Sequence, residues 1–138
     1  MDASQDIVVA ISPEREKFFG RSGTMLIPSP ETVAAFIQEL PTNKLITTEL
    51  LRQELAMRHQ ADVTCPAAMQ KALRTIARRT DDSVPYWRVV KKDGSPLSIF
   101  PGGVTGQATL LEQGGFVMET KKEMLRVQNL AENLASFS

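Results

Sequence analysis

The sequence predicts a mainly α-helical chain carrying a small β-hairpin, arranged as a winged helix-turn-helix. Two amphipathic segments follow each other closely. The first opens at Thr47 or Thr48 and places Leu50, Leu51 and Leu55 on one face; the second opens at Thr64 or Cys65 and aligns Met69, Ala72, Leu73, Ile76 and Ala77. Only a few polar residues separate them, as in a helix-turn-helix. Beyond them, Pro85 to Val90 has the aromatic and β-branched content of a strand, and Lys92, Asp93 and Gly94 form a turn signal before a second short strand at Pro96 to Phe100. Helix, helix, hairpin is the order of a winged helix.

The remaining elements follow from caps and periodicity. Ser12, Pro13, Glu14 and Glu16 open a short helix that Gly20 stops, and a glycine-rich link leads on from it. Ser29, Pro30 and Glu31 then start a stronger helix, with Val33, Phe36, Ile37 and Leu40 at helical spacing and Pro41 as its end. Leu45 and Ile46 are a short extended piece, and the helix after them ends near His59, whose charge would complement the helix dipole. A further helix is expected from about Thr105 to Glu112, stopped by Gly114 and Gly115. From Glu119 onward, Met124, Val127, Leu130, Leu134 and Phe137 share a helical face, which predicts a C-terminal helix packed on the core or on a partner, including a second copy. The organisation is therefore an N-terminal extension with a short helix (1–28), the winged-helix domain (29–116) and a C-terminal helix (117–138).

Bulk properties narrow the function. A chain of 138 residues with 42% apolar content suits one domain. Its 16 basic and 16 acidic side chains cancel, so any nucleic-acid contact must come from a local patch. Such a patch exists: between Lys71 and Lys92 seven basic residues (Lys71, Arg74, Arg78, Arg79, Arg88, Lys91, Lys92) face only Asp81 and Asp82. Lys71, Arg74 and Arg78 stand three and four residues apart, on one helical face opposite the apolar stripe. The same spacing also describes an ordinary solvated helix face. The N-terminus lacks a basic and apolar targeting signal and no run nears the roughly 20 apolar residues of a membrane helix, so a cytoplasmic protein with no membrane partner is expected. One cysteine, Cys65, and one histidine, His59, rule out an intramolecular disulfide and make a closed zinc site untenable, so no metal and no cofactor are expected.

Pro85, Arg88, Val89, Gly94, Gly102, Gly103, Leu110 and Leu111 carry a resemblance. Their order and spacing are similar to the active-site region of the O6-alkylguanine-DNA alkyltransferases, which runs Pro-Cys-His-Arg-Val, a glycine turn, Gly-Gly, Leu-Leu and Glu-Gly. Upstream, Leu40 to Ala56 resembles the opening of that family's helix-turn-helix, and Met69 to Leu73 falls where it has its recognition helix. The resemblance covers roughly residues 29 to 116 and implies the family's DNA-binding fold and duplex DNA as partner. In the family a cysteine thiolate attacks the alkyl carbon, a histidine takes its proton through water and a glutamate orients the histidine. Here those positions hold Tyr86, Trp87 and Gly114. The tyrosine that rotates the target phosphate falls at Thr48, and the arginine finger near Ala67 or Ala68. Alkyltransferase-like proteins of this fold also replace the cysteine and bind alkylated DNA without repairing it. The resemblance thus implies a non-catalytic DNA-binding protein that senses modified guanine and is linked to repair.

The candidate DNA contacts are Lys71, Arg74, Arg78, Arg88, Lys91 and Lys92, and the candidate base pocket is Thr48, Tyr86, Trp87, Gly102 and Gly103. Alternation along a strand puts Trp87 toward the core and Tyr86 toward the pocket. Arg88 suits a phosphate or an internal carboxylate, and Gly102 with Gly103 reads as a tight turn. Two alternatives stand beside DNA sensing: a protein-interaction or dimerisation module on a degenerate winged-helix scaffold, and thiol chemistry at Cys65, which precedes Pro66 at a helix N-terminus.

Overall fold

The computed structural model describes residues 6–79 and 84–136. Asp81, Asp82 and Phe137 lie outside the described residues. The chain begins with β1 (Ile7–Ala10), α1 (Pro13–Phe19) and β2 (Thr24–Ile27). β1 pairs antiparallel with β2, and β2 pairs in parallel with β4 (Val63–Thr64), just ahead of the helix that opens at Pro66. The first 28 residues therefore contribute two strands besides the expected helix, and β2 ties them into the domain through Met25 and Leu26 opposite Val63 and Thr64. Asp6 locks this segment down: its carboxylate accepts hydrogen bonds from the Ser29 amide (2.7 Å) and the Thr32 hydroxyl (2.6 Å), at the N-terminus of α2 (Pro30–Gln38).

Burial raises the Asp6 pKa, but hydrogen bonds from Thr32 and Ser29 and the nearby His59 outweigh it, so the net shift is downward from 3.8. A folded pKa below the unfolded one adds stability above the unfolded value, and that contribution is lost as the pH falls through the folded pKa. Asp6→Asn should thus cost about 1–2 kcal/mol at pH 7 and less at about pH 2. Thermal unfolding of both proteins at the two pH values checks this; an equal gap at both would refute it.

The helices α2, α3 (Thr48–Arg58) and α4 (Pro66–Ala77) enclose the main core. Their starts are capped as the sequence indicates. Ser29 accepts from the Thr32 amide, Thr47 from the Leu50 amide, and Cys65 with Pro66 opens α4. Val33, Ile37, Leu51, Leu55, Met69 and Leu73 are essentially inaccessible and interlock in this core.

The expected hairpin at 85–100 does not form. Tyr86–Arg88 is a single 3-10 turn, and β5 (Val89–Val90) pairs in parallel with β3 (Ile46–Thr47). Leu97 lies in irregular chain because its amide donates to Oε1 of Gln107, whose Nε2 donates to the Trp87 (2.9 Å) and Val89 (2.7 Å) carbonyls. One fully buried amide on α5 (Gly103–Gln113) thus satisfies the backbone groups that a strand partner would have taken.

The expected C-terminal helix is also corrected. Residues 118–127 form an antiparallel hairpin, β6 (Met118–Lys121) and β7 (Met124–Val127), turning at Lys122 (φ 53°) and Glu123 (φ 65°), and only Leu130–Asn133 is helical (α6). Two consecutive left-handed residues make the tight hairpin turn that Asn-Gly normally announces. The tail then runs beside β3: the Leu45 amide donates to the Asn133 carbonyl (2.7 Å) and the Ala135 amide to the Leu45 carbonyl (2.8 Å). Leu130 and Leu134 pack with Leu45, Val90, Leu111, Phe116 and Val127 in a second core cluster, so this tail completes its own fold and presents no long helix to a partner.

Candidate nucleic-acid interface

The apolar side of α4, Met69, Ala72, Leu73, Ile76 and Ala77, is buried against the main core, so the helix cannot rotate. That fixes Gln70, Lys71, Arg74, Thr75 and Arg78 outward. Lys71, Arg74, Thr75, Arg78 and Arg79 line one shallow open depression. Arg79 is held by Glu31 across the α2–α4 contact. The side-chain cations of Lys71, Arg74 and Arg78 make no ion pair or hydrogen bond among the described residues. Three positive charges thus run along one exposed helix face with nothing among the described residues to neutralise them.

The other expected contacts are engaged differently. Arg88 donates to the Pro41 carbonyl (3.3 Å), an internal backbone acceptor in place of the carboxylate expected of it. Lys92 extends toward Glu49 in the first turn of α3 (3.7 Å) while remaining 81% exposed. Lys91 lies beside Asp93. These two lysines sit on a tight turn: Gly94 has φ 87°, its amide donates to the Lys91 carbonyl (2.8 Å), and its carbonyl accepts from the Val127 amide (2.9 Å). The Asp93 carboxylate accepts from the Ser95 hydroxyl (2.6 Å) and amide (3.0 Å), which lowers its pKa from 3.8 despite partial burial. A turn pinned to β7 thus presents the lysines that a wing was expected to carry.

The expected base pocket is only partly assembled. Tyr86 and Trp87 do not alternate across a strand. In the 3-10 turn the Tyr86 ring packs on the main core, 4.8 Å from the Phe100 ring centroid, while Trp87 packs on the second cluster. The two rings meet edge to face at 5.3 Å. Phe100 leads through Pro101 into Gly102 (φ 80°) and Gly103 (φ 63°), so the glycine pair adjoins Tyr86 through Phe100 and starts α5. A Cβ at Gly106 would lie 2.7 Å from the Pro101 carbonyl oxygen, which shows how closely this loop is pressed onto α5. Thr48 follows the Thr47–Val90 pair on the Lys91 side, and the parallel register does not bring it level with Tyr86.

An open cleft of about 250 Å³ falls to Trp87, together with Asn43, Arg88, Leu110, Gln113, Gly114 and Phe116. Trp87 and Gly114, which the resemblance matches to the family's histidine and glutamate, both line this cleft. That pair can neither take nor relay a proton. Cys65 is 6% exposed and belongs to a third cluster with Ile11 and Met25, apart from the Tyr86 turn. Among the described residues no group of acidic, histidine or cysteine side chains could hold a metal ion.

No protein-family model matches the chain, and neither does any curated protein. Solved structures do. The crystal structure of S. pombe Atl1 in complex with damaged DNA containing O6-carboxymethylguanine superposes with a TM-score of 0.62 at 18% identity, covering 78% of this chain and 94% of that one. The chain shares the Atl1 fold. A second structure, of S. pombe ATL in complex with DNA, gives a TM-score of 0.61 at 19% identity with the same coverage. Nearly the whole of Atl1 is thus accounted for within this longer chain. Two residues escape a reading of the sequence: Gln70, an exposed polar residue one turn before Arg74 on α4, and Gln107, whose burial beneath the 86–97 segment nothing in its local pattern announces.

Proposed function

We propose that this chain is a non-catalytic, alkyltransferase-like DNA-binding protein that lays the outer face of α4 in a groove of duplex DNA, with α3 and α4 acting as the helix-turn-helix. The observation that carries this is the row Lys71, Arg74, Arg78, exposed and unneutralised among the described residues on a helix locked by its buried side. Phosphate contacts supply the sequence-independent share of such binding. The turn carrying Lys91 and Lys92 stands at the first turn of α3, beside the groove, with Lys92 facing Glu49. Support also comes from the fold shared with two structures solved on DNA, one with a modified guanine. Sensing of an altered guanine, a link to repair and a cytoplasmic location go with this reading.

Absence of alkyl transfer follows from chemistry. A phenol oxygen is a harder and weaker nucleophile toward saturated carbon than a thiolate, and the chain's one thiol is buried away from the motif. Titration of a duplex with and without a single O6-methylguanine, read by fluorescence anisotropy at two salt concentrations, tests the proposal. Binding that weakens with salt and strengthens with the lesion is expected. Equal affinity for both duplexes would remove damage sensing and leave DNA binding, and no binding at low salt would remove both.

A further inference from the structure

Phe18 is 73% exposed, the most exposed of the large apolar side chains among the described residues, yet its ring is not loose. It meets Phe19 edge to face at 5.0 Å, and Phe19 is anchored among Ile11, Met25 and Cys65. Clefts of about 240 Å³ and 230 Å³ flank it, one reaching Ala56 and Val63, the other Cys65 and Ala67, with Pro66 shared between them. Ala67 is the key neighbour, because it lies one helical turn before Lys71 and two before Arg74 on the outer face of α4. The exposed phenyl ring therefore stands at the N-terminal end of the same stripe whose other end is Arg78.

The charge around this apolar spot favours a polyanion. Among the described residues the Arg15 guanidinium donates only to sulfur, Met25 Sδ at 3.3 Å and Cys65 Sγ at 3.8 Å, and pairs directly with no carboxylate. Arg52, on the rim of the larger cleft, has no side-chain partner among the described residues. The acids of that rim are already matched, Asp62 by Arg21 at 3.0 Å and Glu49 by Lys92 at 3.7 Å. On α1 itself Glu14 and Glu16 balance Arg15 and Lys17, so the surplus comes from the rim.

We propose that α1 belongs to the DNA interface, with Phe18 packing against a sugar or base edge of the duplex just beyond the N-terminus of α4. This rests on α4 meeting DNA. From Ala67 to Arg78 the stripe is about 16 Å long, or roughly five base-pair steps, and a duplex following it arrives next at Phe18. Apolar side chains at such places press into base steps or stack on exposed bases.

The experiment measures duplex affinity of the full chain across a salt series for wild type, Phe18→Ala and Phe18→Trp, with Arg74→Glu/Arg78→Glu as the reference for α4. Phe18→Ala should bind about 5- to 30-fold more weakly with an unchanged salt slope and an unchanged melting temperature, since an uncharged exposed ring is removed. Phe18→Trp should retain affinity, and its added indole emission should change when DNA is bound. Wild-type affinity in Phe18→Ala, alongside loss in the α4 variant, would overturn the role of α1 while leaving α4 in place. Failure of wild type to bind any duplex would overturn both. A shift of the free protein from dimer to monomer on Phe18→Ala, seen by sedimentation, would reassign the ring to a self-contact and overturn the proposal.

Discussion

Gln107→Leu should lower the thermal midpoint on the order of 10–20 °C. The volume is nearly kept, so packing is not the cause. Three backbone groups would lose their partner, the Leu97 amide and the Val89 carbonyl in a buried setting and the Trp87 carbonyl in a partly buried one. At about 1–3 kcal/mol for each unsatisfied group, the loss is a large part of the roughly 5–15 kcal/mol that a domain of this size possesses. Gln107→Glu separates polarity from hydrogen-bond sense. Its carboxylate keeps an acceptor for Leu97 but points an oxygen at two carbonyls, and burial raises its pKa above the unfolded value. Stability should therefore rise as the pH is lowered from 7 toward 5, because the neutral acid can donate to one carbonyl. Calorimetry at the two pH values reads this. A Gln107→Leu midpoint within 3 °C of wild type, about the effect of 1 kcal/mol, would show that the amide is not what holds the 86–97 segment.

Arg74→Glu/Arg78→Glu should reduce duplex affinity by at least about 60-fold near 0.1 M salt, with the melting temperature unchanged. Each phosphate contact contributes a salt slope of about 0.9, so one contact at 0.1 M relative to 1 M is worth roughly eightfold, and two about 60-fold. Reversed charge adds repulsion to that loss. Stability should not move, because neither side chain has a partner among the described residues and both stand outward from the core. The same reversal at Arg79 would be a poor test, since it also breaks the pair with Glu31.

The helices were legible because their signals are local. Ser29 before Pro30, Thr47 before Leu50 and Pro66 after Cys65 each act within one turn, and the starts of α2, α3 and α4 fall there. The strands were not, because they are two to four residues long and take their meaning from distant partners. β2 pairs with β1 along its length and, through Met25 and Leu26, with Val63 and Thr64 far along the chain, a partner that no window around either segment reveals. The 86–100 hairpin failed for a related reason: a single buried glutamine on α5 takes the hydrogen bonds that adjacent strands would have exchanged. The tail was misjudged because Lys122 and Glu123 adopt a turn conformation that ordinary side chains seldom do.

Within the candidate site, the row Lys71, Arg74, Arg78 stands as the helical spacing placed it. Whether a cation is available to DNA could not be read in sequence, since it depends on tertiary neighbours. Arg88 is taken by Pro41 and Lys92 is drawn to Glu49, while the outer face of α4 keeps its charges. Phe18 was invisible as a surface feature because a short helix with adjacent phenylalanines reads as one packed against the core. Only Phe19 is.

The central claim, that the outer face of α4 meets duplex DNA through its cations, is tested most directly by the slope of log Kd against log salt for wild type and Arg74→Glu/Arg78→Glu. The slope should become shallower by about 1.8 in the variant, two contacts at about 0.9 each. Parallel lines for the two proteins, or a wild type whose affinity ignores salt, would contradict it.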